Sequence, residues 1–226
     1  MDLRQITWIF FDVGDTLVDE TKPMNSTFEQ FVHYASELGY SLDTQTVRES
    51  FMTAYRTYQD RPMQYVTETL VSKEEDRALI RSKMKYEKQL EEPFPDAERV
   101  LERIAERYKI GIIANQSVGT TARLETYGLM KHISMVCASA EAGLSKPDVK
   151  FYELALHEAG CRPEEAVMVG DRLDNDIVPA QFLGMGTIWV RQGLAREQPV
   201  PYAGVTPDAI IDQLADIVHV LLKDFT

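Results

Sequence analysis

Two short apolar runs in this 226-residue chain lead into aspartates, and chemistry could begin there. In Ile9-Phe10-Phe11-Asp12-Val13-Gly14-Asp15-Thr16-Leu17 a carboxylate follows a fully apolar run directly. Such a group can attack phosphorus or ligate a metal, although alone it reads more readily as a strand-ending aspartate that starts a turn. A second run, Val167-Met168-Val169, enters Gly170-Asp171, and Asp176 follows five positions later. Carboxylates from two strand ends can converge on one hard cation, and Mg²⁺ fits best because it takes few carboxylates and keeps positions for water and phosphate. Ile112-Ile113-Ala114 ends in the amide of Asn115, and Lys146-Pro147 places a cation just before a helical stretch.

The elements that must position these groups are legible as alternation. From residue 97 a helical face with Val100, Leu101 and Ile104 precedes the apolar run Ile110 to Ile113, and a helix ends near Gly128. Then come Ile133 to Ala138, a helix through Phe151, Leu154 and Ala155 that stops at Gly160, Ala166 to Val169, Thr187 to Val190, Ala209 to Ile211 and a last helix through Leu222. Short apolar strands alternating with helices predict a doubly wound parallel sheet covered on both faces, and Ile6 to Phe11 joins it by composition. Open sheets of this kind bind ligands outside the carboxyl ends of their strands, where Asp12 and Asp171 fall.

Between about Asp19 and Glu92 no strand-like run occurs. Phe28, Phe31, Val32, Ala35 and Leu38 form one helical stripe behind a capping box at Ser26 and Glu29; Val47, Phe51, Tyr55 and Tyr58 form a second; Ser72 and Glu75 open a third segment. The chain therefore divides into an α/β core at 1–18 and 93–226 and an all-helical insert at 19–92. Pro93-Phe94-Pro95-Asp96 marks the return, with Asp96 able to cap the next helix.

Composition limits the partners. The chain carries 36 acidic and 24 basic residues, a formal net charge of −12, which opposes binding to nucleic-acid backbones or anionic membranes. An anionic substrate then needs local positive charge, for which a divalent cation and Lys146 are the candidates. Cys137 and Cys161 form no CxxC and have no histidine at ligand spacing, so neither a disulfide framework nor a zinc site is expected. No long apolar segment appears, and a soluble cytoplasmic protein is the expectation. His33, His132, His157 and His219 are scattered, and Gly184-x-Gly186 lacks the third glycine of a dinucleotide loop.

In order and spacing these residues resemble the haloacid dehalogenase superfamily of aspartate-nucleophile hydrolases, specifically subfamily I with a helical C1-type cap. Asp12 to Leu17 matches the first motif, Ile112 to Asn115 the second, Lys146-Pro147 the third, and Gly170-Asp171 with Asp176 the fourth. The resemblance spans the chain and implies a Mg²⁺-dependent phosphatase for a small phosphorylated metabolite, working through an aspartyl-phosphate on Asp12. Mg²⁺ would be held by Asp12, the main-chain carbonyl of Gly14, Asp171 and Asp176. Asn115 and Lys146 would bind the transferring group, and Thr16 would brace the loop and offer a hydroxyl. The insert would be the cap that closes over the site.

Two departures accompany the resemblance. Gly14 stands where the phosphatases of the family carry the aspartate that protonates the leaving oxygen, and Asp15 next to it is a candidate replacement. Loss of that group matters most for poor leaving groups, since general acid–base help is typically worth about 10²–10⁴ in rate. Ala114 stands where a hydroxyl residue precedes Asn115, and Ser117 is a candidate to replace its hydrogen bond. A non-catalytic ligand-binding relative and a 2-haloacid dehalogenase remain alternatives, the latter opposed by the Gly170-Asp171 pair. A carbon–phosphorus hydrolase would need an early cap lysine, and none lies between Lys22 and Lys73. Arg56, Arg61, Tyr55 and Tyr58 of the insert read first as solvated or packing residues and second as substrate contacts.

Overall fold

A computed structural model describes residues 2–222. In chain order the elements are β1 (Trp8–Phe11), β2 (Val18–Asp19), α1 (Thr21–Glu37), α2 (Thr44–Arg56), α3 (Pro62–Leu70), α4 (Glu74–Lys83), β3 (Glu92–Pro93), α5 (Ala97–Ala105), β4 (Lys109–Ala114) and α6 (Thr120–Thr126). They continue with β5 (Met135–Ala138), α7 (Ser139–Ala142), α8 (Val149–Ala159), β6 (Ala166–Gly170), α9 (Val178–Leu183), β7 (Gly186–Val190), β8 (Ala209–Ile211) and α10 (Ile217–Leu222).

Among the described residues six strands form one sheet in the order β5-β4-β1-β6-β7-β8, every neighbouring pair parallel. Successive side chains of a strand point to opposite faces, so an apolar run in a buried sheet feeds two cores at once. On one face Ile9, Phe11, Ile112, Val167 and Val169 pack with Val100, Leu101 and Ile104 of α5 and Leu221 of α10. On the other, Trp8, Phe10, Ile113 and Met168 pack with Phe151, Tyr152 and Ala155 of α8 and Ala180 of α9. This is the doubly wound α/β architecture expected from the alternation. Because β1 is flanked by β4 and β6, the chain winds outward from it in both directions, and the strand order switches where Asp12 emerges.

The chain divides into two compact units, one containing Met1–Asp19, Glu92–Arg196 and Val200–Thr226, the other Glu20–Glu91 with Glu197–Pro199. The sheet unit takes Asp19 and Glu92 because these residues pair in the short antiparallel ladder of β2 and β3, an element too brief to leave a pattern in the sequence. In the helical unit, Met24, Phe28, Phe31 and Ala35 line the buried side of α1 at helical spacing, and Phe28 meets Phe51 of α2 edge-on.

Several local expectations fail, and each side chain concerned has a partner elsewhere. Ser26 sits inside α1 and its hydroxyl donates to Glu87, so it caps nothing; α1 starts after Glu20 with no side-chain cap. Ser72 lies before Lys73, the residue at the start of α4, and its hydroxyl meets that of Tyr40 at 3.3 Å. Asp96 stands at the N-cap of α5, but Arg99 draws its carboxylate into an ion pair. Tyr58 lies past the end of α2 with φ +55, off the stripe, and its hydroxyl donates to the carbonyl of Pro199. No helix among the described residues is long and apolar enough to cross a membrane.

Candidate active site

The strand ends assemble the site. Asp12 follows β1, and its backbone N–H still donates to the Val169 carbonyl at 2.9 Å, which extends the β1–β6 pairing and fixes where the side chain leaves the sheet. Asp171 follows β6. Its backbone carbonyl accepts from the indole N–H of Trp189 on β7 at 2.6 Å, so a buried ring on the next strand anchors the main chain that carries the carboxylate. Asp176 comes from a single π-helical turn, Leu173–Ile177, between β6 and α9. Its Oδ2 accepts from the Arg172 N–H at 3.0 Å, and the hydroxyl of buried Tyr152 on α8 holds the same turn by donating to the Asn175 carbonyl. Gly170 makes the arrangement possible, because a Cβ at that position would overlap the Asp176 carboxylate.

Asp12, Asp171 and Asp176 each offer an oxygen, and these oxygens all lie within 4.8 Å of one another. Lys146, in the loop between α7 and α8, reaches into the group, with Nζ 2.6 Å from Asp12 Oδ1 and 2.6 Å from Asp176 Oδ1. The four charges are largely removed from water, with side-chain exposures of 2% for Lys146, 13% for Asp12 and 1% for Asp176, and Asp171 is buried as well. Asn115 holds Lys146 in place by its backbone: Nδ2 donates to the Lys146 carbonyl at 2.9 Å and Oδ1 accepts from the Lys146 N–H at 2.8 Å.

Crowding three carboxylates around one ammonium has electrostatic consequences. Burial, reinforced by Asp176, Asp12 and Asp15, pushes Asp171 well above the usual carboxylate range, and no described residue donates a hydrogen bond to its carboxylate. Burial also raises Asp176, to about 6, against the opposing pull of Lys146. Burial alone would pull the ammonium of Lys146 down, but Asp12 and Asp176 outweigh it and hold it above its ordinary value. Net negative charge at an all-oxygen donor set is the condition a hard divalent cation relieves, and the residues fit such an ion.

The remaining expected site residues are placed as follows. Gly14 lies in the β1–β2 loop and bridges to Val18. Thr16 is buried, and its hydroxyl has no hydrogen-bond partner among the described residues. Asp15 is not available to stand in for a missing acid. Its Oδ2 accepts from the Leu194 N–H at 3.1 Å, and Gly193 leaves the room its carboxylate occupies. Gln192 completes this clamp by donating to both the Asp15 and Thr16 carbonyls at 2.9 Å. Ser117 is exposed in the loop after β4, where its Oγ meets the Arg123 guanidinium at 3.5 Å. In the helical unit Arg56 pairs with Glu197, and Tyr55 packs on Phe51 with ring centroids 5.1 Å apart. The sequence reading misses Trp189, Gln192, Gly193 and Tyr152. Of these only the Trp at the end of an apolar run carries a signal, since a buried indole N–H needs an acceptor.

A carboxylate at the end of the central strand therefore has an ammonium on it and two further acids beside it. Residues 9–190 match the family described as haloacid dehalogenase-like hydrolase, and the chain belongs to that family. It is 27% identical over 228 residues to the glyceraldehyde 3-phosphate phosphatase of Methanothermobacter thermautotrophicus, covering 94% of this chain and 98% of that one. It is 33% identical over 126 residues to the phosphoserine phosphatase of Thermus thermophilus, covering 55% of this chain and 49% of the other. Among solved structures, the magnesium-bound HAD-hydrolase YfnB of Bacillus subtilis aligns with a TM-score of 0.68 at 17% identity, over 96% of this chain and 98% of that one.

Proposed function

We propose that the chain is a Mg²⁺-dependent phosphatase of small phosphorylated metabolites that acts through phospho-Asp12. The observation that carries the reading is the Asp12 carboxylate at the end of the central strand, 2.6 Å from Lys146 Nζ and grouped with Asp171 and Asp176. The names of the two curated relatives support the substrate class, and the magnesium in the YfnB structure supports the ion.

In this mechanism Asp12 attacks phosphorus in line with the departing oxygen, and water then attacks phosphorus to return the carboxylate. Lys146 neutralises charge on the phosphoryl oxygens and steadies Asp12 through one of its two ion pairs, the other being to Asp176. The hydroxyl of Thr16, buried in the same loop without a partner among the described residues, is a donor for an incoming oxygen. Asn115 acts through Lys146, whose main chain it grips from both sides, and is a positioning residue. Asp12, the Gly14 carbonyl, Asp171 and Asp176 would hold Mg²⁺, which when bound supplies positive charge and orientation for the transferring group. In this reading residues 19–92 are the cap that selects the substrate. A cytoplasmic address accords with the two free cysteines, whose thiols burial raises to about 11.

The test is phosphate release from sugar, amino-acid, acyl, aryl and nucleotide phosphates, with Mg²⁺ or with chelator. Release that needs the ion supports the reading. Silence across the panel, with ligand binding intact, would favour the binding-protein alternative, and halide release from 2-haloacids the dehalogenase.

A further inference from the structure

Phosphoryl transfer to Asp12 breaks a bond to an oxygen that must leave with its electron pair. The leaving oxygen either receives a proton as it departs or leaves as a free anion. The groups that the sheet unit gathers around Asp12 decide between these. Position 14 is a glycine and offers no side chain. Asp15 is clamped into the Gln192 to Leu194 loop by the Leu194 N–H and by the space over Gly193. The ammonium of Lys146 donates at 2.6 Å to both Asp12 and Asp176, so two of its three protons are engaged by carboxylates on the nucleophile's side and the third is left for the phosphoryl oxygens. Asn115 uses its amide on the Lys146 main chain, and Thr16 offers only an aliphatic hydroxyl, as weak an acid as the alcohols a phosphatase would release. Asp171 and Asp176 form the cation's donor set.

Resting on the phosphatase reading, we infer that this enzyme selects substrates by the acidity of the group released: acyl and aryl phosphates, and other phosphates whose leaving group is stable as an anion, are turned over well, and simple alkyl phosphates poorly. The steps balance without a protein acid. An Asp12 Oδ–P bond forms as the P–O bond to the leaving group breaks, and the leaving group departs as carboxylate or phenolate. Water then forms an O–P bond as the Oδ–P bond breaks. The Asp12 carboxylate returns, and the water's protons leave with the phosphate and exchange with solvent.

The experiment is a series of ring-substituted phenyl phosphates of graded phenol acidity, extended to acetyl phosphate and a simple alkyl phosphate, read as kcat/KM with Mg²⁺. That ratio reports the steps up to formation of the phosphoenzyme, so slow hydrolysis of phospho-Asp12 does not mask the result. The expected result is a steep fall in kcat/KM as the phenol becomes less acidic, with the alkyl phosphate lower still by about 10²–10⁴-fold, the range a general acid commonly supplies. Gly14→Asp should flatten the series by raising the poor substrates more than the good ones. A flat wild-type series with ready turnover of alkyl phosphates would overturn this inference and leave the phosphatase standing. No turnover of any phosphate would overturn both. The wild-type series decides even where Gly14→Asp folds poorly.

Discussion

Lys146→Met removes the ammonium from a site where three carboxylates stay behind. Nζ lies 2.6 Å from both Asp12 and Asp176, with 2% of the lysine side chain and 1% of the Asp176 side chain exposed. Taking one partner from a buried ion pair typically costs about 3–5 kcal/mol because the other charge is left uncompensated. For a protein of this size that is a fall in melting temperature of about 6–20 °C at neutral pH without metal. The pH dependence carries a definite sign. Asp171 and Asp176 are raised above their unfolded values, Asp176 to about 6 against the pull of Lys146, so loss of Lys146 raises Asp176 further. A carboxylate raised on folding stabilises the fold at low pH, and that contribution is lost as pH rises from the unfolded towards the folded value. The deficit of the variant should therefore be small near about pH 5, where the site can take up protons, and largest above about pH 7. Urea unfolding followed by tryptophan fluorescence in chelator, on wild type, Lys146→Met and the charge-preserving Lys146→Arg, measures it. A Lys146→Met variant as stable as wild type at neutral pH, or a deficit that grows on acidification, would refute the electrostatic account of the site.

Further outcomes follow from the same geometry. Divalent cation should raise the melting temperature more at about pH 8 than at about pH 5, because the protons that burial holds on Asp171 and Asp176 must leave before an ion can bind; equal shifts at both would contradict it. Trp189→Phe removes the 2.6 Å bond to the Asp171 carbonyl and should weaken cation affinity by about 10–100-fold in calorimetric titration, while the far-UV circular dichroism stays unchanged. Gly170→Ala drives a methyl into the Asp176 carboxylate and should abolish the cation-induced rise in melting temperature; a rise equal to that of wild type would show that Asp176 is not held where the structure has it.

What the sequence discloses, and what it hides, separates along the range of the interactions involved. The central apolar runs are legible because both faces of their strands are buried, so Ile9 to Phe11 and Val167 to Val169 need no partner in view to be read as strands. The acids at their ends are legible for the same reason, since a charge directly after such a run stands out. Ser26, Ser72 and Asp96 match local capping patterns, yet Glu87, Tyr40 and Arg99 take them instead, and a pattern cannot weigh such competitors. The fate of Asp15 turns on an amide 179 positions away. Asn115 reads as a group for the substrate, whereas its partners are the backbone atoms of Lys146, 31 positions along the chain. Trp189 and Gln192 act on the site through hydrogen bonds to main-chain carbonyls, which leave no trace in residue type.

The most direct test of the account is to trap the intermediate. Wild type and Asp12→Asn are mixed with an acyl or aryl phosphate and Mg²⁺, quenched in acid within the first turnover, digested and examined by mass spectrometry. One added phosphoryl group is expected on the peptide containing Asp12 in the wild type, lost when chelator replaces Mg²⁺ and missing from Asp12→Asn. Phosphate release by the wild type with no phosphorylated peptide, or undiminished release by Asp12→Asn, would contradict it.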